Sequence, residues 1–319
     1  MSRVYEALRQ KRSERMHDPL GSTTGNQGFQ DEDAGAAITS AILETVFESE
    51  EERPGVPEKI QAEDSLPSAL PRNPYDVSTN GFRRMSLEQR AGSRLVFQTD
   101  RDGLAAEQFR FLRRTLEQKF PNGAVLLVTS PAPQDGKTLT SINLSTCLSD
   151  SGRSTLLVEA DIRQPSVQKT LGSSSEAHGI EEALAGALAP KDAVACIEEL
   201  GLCVSTVGHP PADPSRIITG RGTQQFLNWA RERFHWVVVD SPPVLPAADV
   251  AHLAALADAV LLVVRAQSTP KALVTRALEI LGDRLYGVVL NEATIESNPY
   301  YRYLTEYKHS GNGSSSGKN

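Results

Sequence analysis

Five short apolar runs recur from Gly123 onward: Ala124–Thr129, Thr155–Ala160, Trp236–Asp240, Ala259–Val264 and Tyr286–Leu290, with Leu202–Val207 as a candidate sixth. These runs are almost continuously apolar and rich in Val and Leu, as expected of strands of a buried parallel sheet covered on both faces. Helical stretches separate them, at Leu139–Asp150, Thr223–Phe234, Ala247–Ala257 and Lys271–Gly282. This alternation predicts right-handed crossovers and an α/β fold with a doubly wound, mostly parallel sheet. Ligands of such sheets bind at the carboxyl ends of the strands, so the chemistry is sought just after each apolar run.

The rest of the 319-residue chain reads differently. Residues 1–95 form an N-terminal extension with two short amphipathic helical patterns, and a Pro-rich linker over 53–80 that cannot hold a helix or a central strand. Residues 96–297 hold the strand–helix alternation and form the folded domain, and 298–319 a flexible tail running into Gly, Ser and Asn. No apolar run approaches the ~18 residues that span a bilayer, and Met1–Gln10 lacks the core of a signal peptide. The net charge of −7 argues against nonspecific nucleic-acid binding. Three cysteines, an odd number without metal-ligand spacing, argue against a disulfide scaffold and a zinc site and for a reduced, cytoplasmic setting.

Directly after the first apolar run, Ser130 to Thr138 (SPAPQDGKT) open a helix. Gly136-Lys137-Thr138 between strand and helix is the core of a P-loop. Gln134, Asp135, Gly136, Lys137, Thr138 and Leu139 would surround the phosphates of ATP, with Lys137 on the β/γ oxygens and the Thr138 hydroxyl on Mg²⁺. Pro131 occupies the place of the usual first glycine and Gln134 that of a later one. The ParA/MinD ATPases carry a second lysine early in this loop, where this chain has Ala132.

Carboxylates follow two further strands. Glu159 and Asp161 end the second, and two residues apart on an extended segment they would face the phosphates together. Asp240 ends Val237-Val238-Val239 in the form of a Walker B strand. Asp161 and Asp240, with Thr138, would hold the metal; Lys137, Glu159, Asp161 and Asp240 form the candidate catalytic group. Asn291, after the last apolar run, is a candidate adenine contact.

The loop ending at Thr138, the segment from Leu156 to Arg163 and the run from Val237 to Pro243 resemble the Walker A, A′ and B motifs of the bacterial tyrosine kinases. These P-loop enzymes of MinD/ParA-like type control capsule and exopolysaccharide synthesis. The resemblance covers roughly Leu95 to Tyr307, and the opening MSRVYEAL is similar to the start of stand-alone cytoplasmic members. It implies a protein-tyrosine autokinase using ATP and Mg²⁺. Glu107, Arg110 and Arg113 match the family's Glu-x-x-Arg-x-x-Arg motif, which joins subunits into a ring. Tyr300, Tyr301, Tyr303 and Tyr307 correspond to its autophosphorylated cluster, offered to a neighbouring subunit. The family also implies a separate membrane-bound polysaccharide co-polymerase as activator, recruiting the kinase to the inner face of the plasma membrane. Where the family has Asp as the proton acceptor, this chain has Glu159. Two other readings stay open: a catalytically weak ATP-dependent switch, and a MinD/ParA-like ATPase.

Overall fold

The computed structural model describes residues 81–87, 94–172, 179–245 and 249–293. The helical patterns and linker before residue 81, and the tyrosine cluster after 293, lie outside the described residues.

In chain order the elements are β1 (Arg83–Arg84), α1 (Val96–Thr99), α2 (Leu104–Lys119), β2 (Ala124–Thr129), α3 (Lys137–Asp150), β3 (Thr155–Glu159), α4 (Val167–Leu171), α5 (Ile180–Leu184), β4 (Ala195–Ile197), β5 (Leu202–Ser205), α6 (Pro214–Ile218), α7 (Arg221–Arg231), β6 (Trp236–Asp240), α8 (Asp249–Leu256), β7 (Ala259–Arg265), α9 (Lys271–Leu281) and β8 (Leu285–Asn291). The eight strands form one sheet in the order β1-β4-β5-β3-β6-β2-β7-β8. Every neighbouring pair is parallel except β4 and β5. The expected doubly wound, mostly parallel α/β sheet is the fold.

Strands β2, β3 and β6 are buried along their whole length because helices cover both faces. Alternate residues serve opposite layers. Val125 and Leu127 of β2 pack with Phe226 and Leu227 of α7 and Leu253 of α8, whereas Leu126 and Val128 pack with Ile142, Leu144 and Leu148 of α3. The two layers are thus fixed by the strand's two-residue period.

The small residue at the start of α7 sets how closely that helix approaches α5. A Cβ on Gly222 would lie 1.8 Å from the backbone carbonyl oxygen of Leu184, a contact no side-chain rotation can relieve. Gly222→Ala is therefore expected to destabilise the fold by about 1–3 kcal/mol, read as a lowered Tm in calorimetry. An unchanged Tm would show that the helices can slide apart freely.

Two elements differ from the sequence reading. Strand β1 pairs with β4 at Arg83↔Ala195, within the segment read as extension. The hairpin β4–β5, turned by a 3-10 segment at Glu198–Leu200 and by Gly201, sets Cys196 opposite Cys203, and the two form a disulfide. Cysteine number points away from a disulfide, but the fold forms one. Hairpin register, which no cysteine count carries, brings the two Cα atoms to 3.9 Å. Cys147 remains free and buried, and burial pushes its thiol up to about 11.

Candidate active site

Parallel register brings the reactive strand ends together. Val128 lies opposite Asp240, and Asp240 opposite Glu159, so β2, β6 and β3 end side by side. The loop from Ser130 to Gly136 leaves β2 and turns into α3, whose fourteen residues start at Lys137. Gln134 adopts a left-handed φ of 67°, a strained conformation for a side chain that glycine would relieve. Gly136 has φ 95°, and a Cβ there would lie 2.0 Å from Asn291 Nδ2.

The loop is braced from behind. The Asp135 carboxylate accepts from the Ala132 N–H at 3.0 Å and from the Thr269 hydroxyl at 2.7 Å. Asn291 Nδ2 donates to the Asp135 carbonyl at 3.0 Å. Asp135 thus shapes the loop with its side chain, and Asn291 spends its amide on the loop backbone. Leu139 points into the core layer under α3. Because the brace and the left-handed turn meet at one glycine, Gly136→Ala is expected to weaken nucleotide binding about tenfold to 100-fold, measured by titration with a fluorescent ATP analogue. Wild-type affinity would mean the brace is dispensable.

Ahead of the loop, Lys137 Nζ lies 3.1 Å from Asp161 Oδ2, both groups nearly buried. The Thr138 hydroxyl donates to Asp240 Oδ2 at 2.7 Å, and the Ser141 hydroxyl to Asp240 Oδ1 at 3.1 Å. The Asp240 backbone carbonyl accepts from the N–H groups of Ala160 and Asp161. Burial drives the Asp240 carboxyl up to about 7; Lys137 and the Thr138 bond oppose this, while Glu159 and Asp161 add to it. A buried carboxylate backed by two hydroxyls is a hard oxygen set that fits a divalent cation. Among the described residues no group of three or more His, Cys, Asp or Glu is disposed to hold a metal alone, so phosphate oxygens would complete the shell.

Glu159 corrects the sequence reading. Strand β3 ends at Glu159, so the two-residue period does not carry through to Asp161. Glu159 Oε1 accepts from the N–H groups of Ser166 at 2.6 Å and Val167 at 2.7 Å, and Oε2 from Val207 at 2.9 Å. Burial raises its pKa, against these three bonds. Both oxygens are spoken for by backbone.

Of the candidate ring residues, Arg110 pairs with Glu107 at 2.5 Å and donates to the Arg101 carbonyl. Arg113 donates to the Cys147 carbonyl at 3.2 Å, locking α2 onto α3. Within one chain Glu107, Arg110 and Arg113 thus find partners, although Arg113 Nε is buried without a hydrogen bond among the described residues. Sequence reasoning missed Ser141, Ser166 and the cluster in which Arg163 and Ser215 both bind the buried Asp249. Arg163 lies inside the segment that carries the family resemblance, but its partners come from distant elements without a short motif.

No family model matches the chain. The tyrosine-protein kinase YwqD of Bacillus subtilis is 27% identical over 228 residues, 69% of this chain and 96% of that protein. The tyrosine-protein kinase etk of Escherichia coli is 30% identical over 204 residues, 62% of this chain but 28% of its own length. The tyrosine-protein kinase ptk of Acinetobacter johnsonii is 26% identical, with 34% of its length matched. The chain thus spans about a third or less of these two longer relatives. Among solved structures, the VpsO kinase domain is 30% identical with a TM-score of 0.55, covering 60% of this chain and 96% of that one. The chain belongs to the bacterial tyrosine kinase family. The chimerical protein CapA2B2, 26% identical with a TM-score of 0.59 over 69% of this kinase chain and 97% of its own, shares the same sheet.

Proposed function

We propose that this bacterial tyrosine kinase is an ATP-dependent autokinase that phosphorylates the C-terminal tyrosines of a neighbouring copy and so regulates exopolysaccharide or capsule synthesis and export. One observation carries the reading: Lys137, Thr138, Asp161 and Asp240 converge at the mouth of a braced P-loop. The amides at the start of α3 receive phosphate, and Lys137 swings from Asp161 to the β/γ oxygens. That exchange frees Asp161 Oδ2. Thr138 and Asp240 would hold Mg²⁺, which supplies charge neutralisation on the phosphates. An incoming tyrosine oxygen forms the new bond to the γ-phosphorus as the γ-phosphorus to β-oxygen bond breaks, and ADP leaves with that electron pair. The phenol is protonated at neutral pH, and Asp161 takes its proton.

The wider setting follows from the family. Glu107, Arg110 and Arg113 would exchange partners across subunits in a ring. A membrane-bound co-polymerase would recruit and activate the kinase at the inner face of the plasma membrane. No described helix is long and apolar enough to cross a membrane, and one relative is named a succinoglycan biosynthesis transport protein, from Rhizobium meliloti. Incubation with ATP and Mg²⁺ followed by mass-spectrometric mapping tests the proposal: phosphate is expected on Tyr300, Tyr301, Tyr303 or Tyr307. The strained Gln134 and the backbone-bonded Glu159 favour a second reading, a nucleotide switch that assembles on ATP binding without transfer. ATP-dependent assembly without phosphotyrosine would establish that reading instead.

A further inference from the structure

Two buried carboxylates staple the loops around the mouth of the site. Glu159 collects the N–H groups of Ser166, Val167 and Val207, at 2.6, 2.7 and 2.9 Å. Glu181, on α5, takes the next two residues of the same strand exit, Gly208 at 3.0 Å and His209 at 2.7 Å. The loop after β3 and the loop after β5 are thereby one body. Its other end touches the reactive group directly, because Ser166 Oγ lies 3.0 Å from Thr138 Oγ1, the hydroxyl that also meets Asp240.

We infer that Glu159 is a positioning residue, which sets Ser166 against the cation-binding hydroxyl of Thr138, and not the group that accepts the phenol's proton. The inference deepens the kinase reading and rests on it for its rate measurement. A proton acceptor needs an oxygen with a lone pair aimed at the substrate, whereas three of the carboxylate's about four acceptor sites are taken by backbone donors, two on Oε1 and one on Oε2. The extra methylene relative to aspartate is then functional. An Asp carboxylate, about 1.5 Å shorter in reach, falls short of the three N–H groups it would have to gather.

Substitution separates the two roles. Glu159→Gln keeps the length and an oxygen for Ser166 and Val167, but loses the acceptor for the Val207 N–H and the ability to titrate. Glu159→Asp keeps an ionisable carboxyl but lacks the reach. Autophosphorylation rates over pH 6–9 and the Mg²⁺ concentration at half-maximal rate are measured for both, with melting curves to register folding. The expected order is wild type, then Gln within about tenfold and with an unshifted pH profile, then Asp, slower and needing several-fold more Mg²⁺. An inactive Gln variant beside an Asp variant at wild-type rate overturns the inference, as does loss of the acidic limb of the pH profile in Gln alone. If wild type makes no phosphotyrosine, the kinase reading fails by itself. The staple is then judged by Mg²⁺-dependent binding of a fluorescent ATP analogue: weaker binding in Asp than in Gln upholds it, and equal binding in both overturns it.

Discussion

Lys137→Met is expected to abolish ATP-dependent phosphotyrosine formation, with at least a ~100-fold fall in rate. The substitution retains the apolar stem but removes a cation that lies 3.1 Å from Asp161, with both groups nearly buried. Phosphoryl transfer depends mostly on positioning and charge neutralisation, so losing this cation affects both the ground-state grip on phosphate and the transition state. Removing it also leaves the Asp161 carboxylate without its counter-ion, a penalty of about 3 kcal/mol. Circular dichroism and a melting curve accompany the assay, so that loss of chemistry is distinguished from loss of fold. A folded Lys137→Met protein that still labels its tyrosines at a tenth of the wild-type rate would exclude the P-loop as the site of transfer.

Asp240→Asn is expected to give a protein that melts higher than wild type at pH 8 without nucleotide and has lost its activity. The folded chain holds the Asp240 proton up to about pH 7, whereas the unfolded chain releases it near the ordinary 3.8. Between those values the folded state binds more protons than the unfolded, so stability falls as pH rises. The full difference corresponds to about 4 kcal/mol, lost progressively from pH 4 to 7 and constant above. Asparagine has the same shape and no charge to bury, and the hydroxyls of Thr138 and Ser141 can still bond to it. The expected gain at pH 8 is several degrees in Tm, shrinking towards zero near pH 4, measured by calorimetry at both pH values. Equal melting curves for the two proteins at pH 8 would show that the carboxylate is not held at a cost. Under the proposed function Asp240 would be a source of instability that a bound cation relieves, so stability and activity are expected to part company at this residue.

The parts of this site that were legible in the sequence are those encoded by short-range spacing. Gly136, Lys137 and Thr138 follow a strand and start a helix within three residues, and Asp240 ends an unbroken Val-Val-Val run. Continuous apolarity disclosed β2, β3, β6, β7 and β8 for the same reason. Pairings made by tertiary register stayed hidden. Strand β4 has three residues, too few to show a period, so the alignment of Cys196 with Cys203 could not be inferred from their separation in the chain. The expectation that Glu159 and Asp161 face one way carried the alternation rule two residues past the strand's end. Ser166 meets Thr138, and Asp249 meets Arg163 and Ser215, across separate loops and helices, and only the folded chain reveals these neighbours.

Asn291 ends β8 and, through its amide, is fastened to Asp135. The polypeptide beyond it is therefore moored at the nucleotide's own doorstep. Tyr300 lies nine positions further along the sequence, and nine residues span at most roughly 30 Å. If the proposed autokinase reading holds, the number of residues between Asn291 and Tyr300 would set which pocket a tyrosine can reach, and inserting or deleting residues there would alter that choice.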